Sequence, residues 1–256
     1  MSLRLPAKLK PGAGLRAVLL SLARKAQSDV GRVADNPEER IHDLRTGMKK
    51  YRALLRLAGG DATRRMRGAL IERVRILKDG MAGSRDDVVM FRTVLAVLGR
   101  SAVRRLHLKM PSGEGSLVPP EPLVRAAAEL VVLTESLELK GLGAADLKRR
   151  WRRSVRRSRR AMGRAAQSLE AHDFHVWRKR VKNVWYKSAA LEATGKKIAA
   201  MRRPAAKLGE LLGDEHDMTI VLETVRDLTA EDRAVLGEER RRLRLRAFEL
   251  GAKIRM

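Results

Sequence analysis

The stretch Ile41-His42-Asp43-Leu44-Arg45-Thr46-Gly47-Met48-Lys49-Lys50-Tyr51-Arg52-Ala53-Leu54-Leu55-Arg56-Leu57 decides how this chain folds. His42, Arg45, Lys49, Arg52 and Arg56 recur at intervals of three and four, which puts them along one face of a helix. Ile41, Leu44, Met48, Tyr51 and Leu55 form an apolar stripe beside that ladder. One edge of the helix is thus anchored in a core and the next is cationic. No acid interrupts the run from Arg45 to Leu57. Surface helices ordinarily interleave acids with such cations, so this face calls for counterions or an anionic ligand.

The same pattern returns 133 positions later as His175, Arg178 and Lys182, beside Phe174, Trp177, Val181 and Val184. Lys179 and Lys187 are expected to thicken its charge on neighbouring faces. Trp185 stands where the first copy has Arg52, and with so few aromatics in the chain Trp185 and Tyr186 are expected in the core. A second echo pairs Met81-Ala-Gly-Ser-Arg-Asp86 with Leu212-Gly-Asp-Glu-His-Asp217 at an offset of 131. Two echoes in the same order mark a diverged internal duplication. The repeats run over about 10–110 and 121–253, joined by a Pro/Gly/Ser connector at 111–120. A pseudo-twofold relation between them would bring the two ladders face to face.

Composition agrees with a polyanion ligand. The 256 residues carry a net charge of +26, with aromatics at only 3%. Self-repulsion on that scale favours an anionic partner, and the core must be built largely of Leu, Val and Ala. The absence of cysteine excludes disulfides, thiolate metal sites and cysteine nucleophiles, and suits a reducing cytoplasm. Apolar runs such as Ala17–Leu20 and Val94–Leu98 are too short to span a bilayer, and no secretory signal is visible, so no membrane partner is expected.

Nearly every segment has helical period and none alternates as a strand does. Helices are predicted at about 12–34, 37–58, 61–81, 85–107, 121–139, 144–170, 172–193, 196–212, 215–228 and 231–253. Asn36-Pro37-Glu38-Glu39 supplies a cap, a proline at the first helical position and an acid at the third. Ser84 with Asp87 resembles another capping box. Gly59-Gly60, Gly83, Gly195 and Gly213 are expected at helix C-termini.

Lys148–Arg164 holds ten basic residues and no acid, with Arg149, Arg153, Arg156 and Arg160 in one stripe. Guanidinium forks at that spacing suit a wall of phosphate contacts. Arg240–Arg246 is also basic, but Glu238, Glu239 and Glu249 neutralise it and give it a structural reading. His172 and His175 form an i, i+3 pair, yet Arg178 and Lys179 beside them disfavour a divalent metal, so no metal site or cofactor is expected. Phosphate loop, nucleophile elbow and dinucleotide glycine fingerprint are all missing, and no catalytic residue is expected. Asp86, Asp87, Asp214 and Asp217 are read as helix-start acids that meet the helix dipole and orient Arg85 and its neighbours.

Taken together, the repeated His-x-x-Arg-x-x-x-Lys ladders with Arg85-Asp86 and His216-Asp217 resemble the CHAD family, all-helical domains named for their histidines. The resemblance covers roughly residues 10–253. It implies an all-α fold of two pseudo-twofold-related antiparallel four-helix bundles, with basic side chains lining a central groove or pore. It also implies inorganic polyphosphate as ligand and association with polyphosphate granules. With about ten residues ahead of the first helix, a stand-alone binding protein is expected rather than an enzyme. His42, Arg45, Lys49, Arg52, Arg56, Arg85, Arg149, Arg153, Arg156, Arg160, His175, Arg178, Lys179 and Lys182 are the candidate polyphosphate ligands, and sulfate or phosphate ions fit the same positions. Departures from the family pattern, Trp185 for a base, Ala189 for an acid and His216 for an asparagine, point to unequal halves. The rival reading is a nucleic-acid-binding protein, although no helix-turn-helix reader or RNA-binding aromatics are visible.

Overall fold

A computed structural model describes residues 2–60, 63–80, 85–110 and 118–254, with side chains from 87 in the third segment. Of the described residues 80% are helical, and none lies in a strand. In order, the helices are α1 (Pro11–Gly31), α2 (Pro37–Leu55), α3 (Arg64–Asp79), α4 (Arg85–Val97), α5 (Gly99–Arg105), α6 (Glu121–Glu135), α7 (Ala144–Ser168), α8 (Ala171–Leu191), α9 (Lys196–Thr224) and α10 (Ala230–Lys253). None of them is long and apolar enough to cross a membrane.

Local chemistry sets most boundaries. Asn36 caps α2 by accepting from the Glu39 backbone N–H at 3.3 Å, Pro37 occupies the first turn, and Glu38 and Glu39 meet the positive helix end. At α10 a capping box that the sequence reading missed joins Thr229 and Asp232, each side chain accepting from the other's backbone N–H.

In two stretches the number of helices differs from expectation. The predicted helix over 85–107 divides into α4 and α5 at Gly99, whose φ of +84° suits glycine alone. The two predicted helices over 196–212 and 215–228 are one helix, α9, which runs straight through Gly213. Gly213 therefore ends no helix, and Asp214 and Asp217 lie mid-helix rather than at a start. Leu208, Leu211, Leu212 and Met218 keep an unbroken buried stripe across that point, and burying it outweighs glycine's poor helix propensity. Gly83 and the Ser84 capping box lie outside the described residues.

The chain forms two compact units that cut across the sequence repeats. One comprises Met1–Ala82, Gly113–Arg153 and Tyr186–Ala200; the other comprises Gly83–Ser112, Ser154–Trp185 and Met201–Met256. In the first, α1 packs on α2 and α6, and α3 packs on α2 and α6, so each of the four touches two others. Leu15, Leu19, Leu44, Met48, Tyr51, Leu70, Leu77 and Leu130 are essentially sealed from water in its core. The Tyr51 hydroxyl shares a 2.6 Å hydrogen bond with the Thr134 hydroxyl, and burial pushes the phenol's pKa up. Trp151 of α7 donates to the Ser188 hydroxyl at 2.9 Å. These pairings satisfy polar groups that would otherwise be costly to bury.

In the second unit, Ala161 and Ala165 of α7, Phe174, Trp177 and Val181 of α8, Leu208 and Leu212 of α9, and Leu243 and Ala247 of α10 share one core cluster. The Trp177 and Phe248 rings stack at 5.2 Å, and Phe174 meets Phe248 edge-on at 5.5 Å. Arg244 lies over the Phe174 ring at 4.0 Å and ion-pairs with buried Glu215 at 2.7 Å. Arg241 pairs with Glu238 and Arg242 with Glu239. Three cations of the basic segment Arg240–Arg246 are thus paired within the fold.

Candidate functional site: two cation ladders

The apolar stripe beside the first ladder is buried at Leu44, Met48, Tyr51 and Leu55, while Ile41 is half-buried. Rotating about the helix from that stripe, Arg45 and Lys49 come out half-buried, and His42, Arg52 and Arg56 are exposed. The ladder's innermost cations are therefore those nearest the core edge. Asp79, at the end of α3, lies close enough to Arg45 for the two charges to interact. An acid-free sequence thus gains an acidic neighbour through the fold.

The entry to α2 is held by a charged cluster that the sequence reading missed. Asp29 is buried and pairs with Lys25 at 3.0 Å and with Arg40 at 3.5 Å. Lys25 also bonds Asp43 at 2.9 Å, which holds the Asp43 carboxyl below its usual range. His42 is flanked by this lock, which ties α2 to α1. At the other end Arg150 of α7 donates to the Leu57 carbonyl at 2.6 Å, satisfying a carbonyl just past the helix. Burial lowers the Arg150 pKa, with Arg149, Arg67 and Arg153 adding to the effect. This cation of the basic α7 run has a structural task.

The second ladder has a different seat. Phe174, Trp177, Val181 and Val184 are buried, His175, Arg178 and Lys182 are half-buried, and Lys179 is exposed. Three contacts run antiparallel in one register between α8 and α9. The His175 and His216 rings lie 4.4 Å apart and tilted by 38°. A Cβ at Gly213 would meet the Arg178 guanidinium at 3.7 Å, and one at Gly209 would meet the Lys182 stem at 3.6 Å. Glycines spaced by four thus leave a shallow seam along α9, and the ladder lies on it. A methyl group would fit there in ordinary van der Waals contact, whereas a larger side chain would displace the cation.

His175 carries the cost of this seating. Its Nδ1 is buried and has no hydrogen-bond partner among the described residues. Burial first, then Lys179, Arg178 and His172, pushes its pKa down to about 4. The imidazole is neutral at pH 7 and surrounded by cations.

Other expected residues fall elsewhere. Lys187 is only 4% exposed, so it adds no surface charge: the last turn of α8 packs into the first unit, and Tyr186 is buried there while Trp185 is half-exposed. Arg149, Arg153, Arg156 and Arg160 all project into solvent, opposite the buried Trp151, Val155, Ala161 and Ala165 of α7. The Arg85 and Asp86 side chains lie outside the described residues. Among the described residues, no three His, Asp or Glu side chains converge in a metal-holding arrangement.

The profile of the CHAD domain matches residues 16–226, which span both ladders and the α9 seam. This chain belongs to the CHAD family. A crystal structure of the CHAD domain from the plant Ricinus communis is similar to it, with a TM-score of 0.62 over 99% of this chain and 90% of that one. Identity is 18%, so that likeness speaks for the fold alone. No curated protein matches the chain. CHAD domains are helical, are not typically catalytic, and are commonly linked to polyphosphate.

Proposed function

We propose that this CHAD protein binds inorganic polyphosphate non-catalytically through its two ladders, His42, Arg45, Lys49, Arg52 and Arg56 on α2 and His175, Arg178, Lys179 and Lys182 on α8, and so attaches to polyphosphate granules in the cytoplasm. Arg85 belongs to the same set by its place in the motif. The observation that carries this reading is the seating of Arg178 and Lys182 on the Gly213 and Gly209 seam. From Phe174 to Leu191 there is no acid, so the α8 helix itself offers these cations no counter-charge. Cations prepositioned by packing lose little side-chain entropy when an anion arrives. Each guanidinium or ammonium neutralises phosphoryl oxygens, and sulfate or phosphate ions fit the same positions singly.

The test removes four of these charges together. Alanine at Arg45, Lys49, Arg178 and Lys182 abolishes polyphosphate binding in titration calorimetry while circular dichroism keeps its helical signal. Undiminished binding by that variant overturns the assignment. Competition at physiological salt addresses the nucleic-acid alternative: long-chain polyphosphate displaces labelled duplex DNA and single-stranded RNA, and the reverse order would favour the rival.

A further inference from the structure

Besides the ladders, the outer face of α7 is strongly and uniformly charged. Arg152, Arg153, Arg156, Arg157 and Arg160 are all exposed, and none has an ion-pair partner among the described residues. Arg149, one turn earlier, does have one, Asp146 at 2.6 Å. Between Asp146 and Glu170 the sequence contains no acid. This is therefore a cationic strip several turns long whose neutralisation must come from outside the helix.

The strip and the second ladder do not share a surface. The inner face of α7 enters the core through Ala161 and Ala165, in the same cluster as Phe174, Trp177 and Val181 of α8. The strip lies on the opposite side of α7 from that cluster, whereas the ladder of α8 lies against α9. At least the width of a helix, about 10 Å, separates them. A chain gripped along the ladder leaves the α7 strip free for another.

From this we infer that the outer face of α7 is a second polyphosphate-binding surface, so that one protein molecule bridges two polyphosphate chains and condenses them. The inference rests on the polyphosphate reading of the ladders and adds a function to it: the protein organises the polymer as well as holding on to it. A base-free polyanion suits the strip better than nucleic acid. Trp151, the one aromatic in α7, is 3% exposed, so no ring is offered for base stacking, whereas groups that bind single strands alternate cations with exposed aromatics. Two weak faces on one body also gain from multivalency, because long chains can be engaged at several proteins at once.

The experiment compares wild-type protein with a variant carrying glutamine at Arg153, Arg156, Arg157 and Arg160, all solvent-exposed, so the fold is expected to survive and circular dichroism checks that it does. A control variant removes equal charge elsewhere, with glutamine at the exposed Lys8, Lys10, Arg125 and Lys140. Each protein is titrated with polyphosphate too short to reach around a helix, and separately mixed with long-chain polyphosphate while light scattering is recorded. The α7 variant is expected to keep one short-chain site with an affinity within about twofold of the wild-type ladder while losing a second site. Its scattering with the long chain drops by about tenfold, and the control scatters as wild type does. Scattering by the α7 variant equal to wild type overturns the inference. So does a loss of all short-chain binding in that variant, which would make α7 part of the ladder grip, and so does stronger condensation of duplex DNA than of polyphosphate by the wild type. Failure of wild-type protein to bind the short chain would instead sink the reading of the ladders.

Discussion

His175 shows how one residue's place can be legible in sequence while its surroundings are not. Its place in the ladder followed from helical spacing, and the family resemblance made it a candidate polyphosphate ligand. In the fold its ring lies against that of His216, and burial together with Lys179, Arg178 and His172 lowers its pKa to about 4. The sign of the consequence is definite. An unfolded histidine titrates near 6.5, so below that pH the unfolded chain takes up a proton that the fold resists. The stability associated with His175 is complete above about pH 6.5 and is lost as pH falls toward 4. A polyanion over the ladder favours the imidazolium and raises the pKa, so binding takes up a proton. Polyphosphate affinity is therefore expected to be higher at pH 5 than at pH 8, and His175→Gln to weaken that dependence, as measured by calorimetry in buffers of different ionisation enthalpy. A pH-independent affinity in wild type would contradict the account. Spacing along one helix places Lys179, Arg178 and His172 beside His175, but it could not show the burial that contributes most to the shift.

At the scale of the element, α9 departs furthest from the sequence reading. Gly213 read as a helix end, by the ordinary preference of glycine for C-termini. The buried stripe through Leu212 and Met218 carries the helix onward, and Gly213 serves instead to let α8 lie close beside it. The signal was present as Gly209-Glu-Leu-Leu-Gly213, a small-residue pair at i, i+4, but only the register between α8 and α9 shows what it faces. Gly213→Leu is expected to displace the Arg178 guanidinium and to weaken polyphosphate binding about tenfold, or about 1.4 kcal/mol. Gly213→Ala, whose methyl meets Arg178 at an ordinary 3.7 Å, is expected to bind as wild type and to stabilise the helix by up to about 1 kcal/mol. Isothermal titration and urea unfolding of the two variants measure both effects. Equal binding by Gly213→Leu would mean that the seam does not position the cation.

At the scale of the whole molecule, a charge of +26 makes salt the controlling variable. Bound cations release counterions from the polymer, so log affinity is expected to fall linearly with log salt, by about 0.7 for each phosphate neutralised if polyphosphate behaves as a single-stranded polyanion. Arg52→Gln flattens the slope by about that amount and Arg242→Gln, already paired with Glu239, leaves it unchanged. A salt-independent affinity would exclude electrostatic capture. The helical class, the family and both ladders could be read from sequence because each depends on spacing along one helix, where geometry is set by local backbone hydrogen bonds. What required the tertiary structure was every property that depends on a neighbour distant in the chain: Asp79 beside Arg45, Arg150 on the Leu57 carbonyl, the burial of Lys187, and the seating of Arg178 and Lys182 on α9. Burial and charge proximity are set by packing between helices, and packing brings together residues whose separation in sequence carries no period.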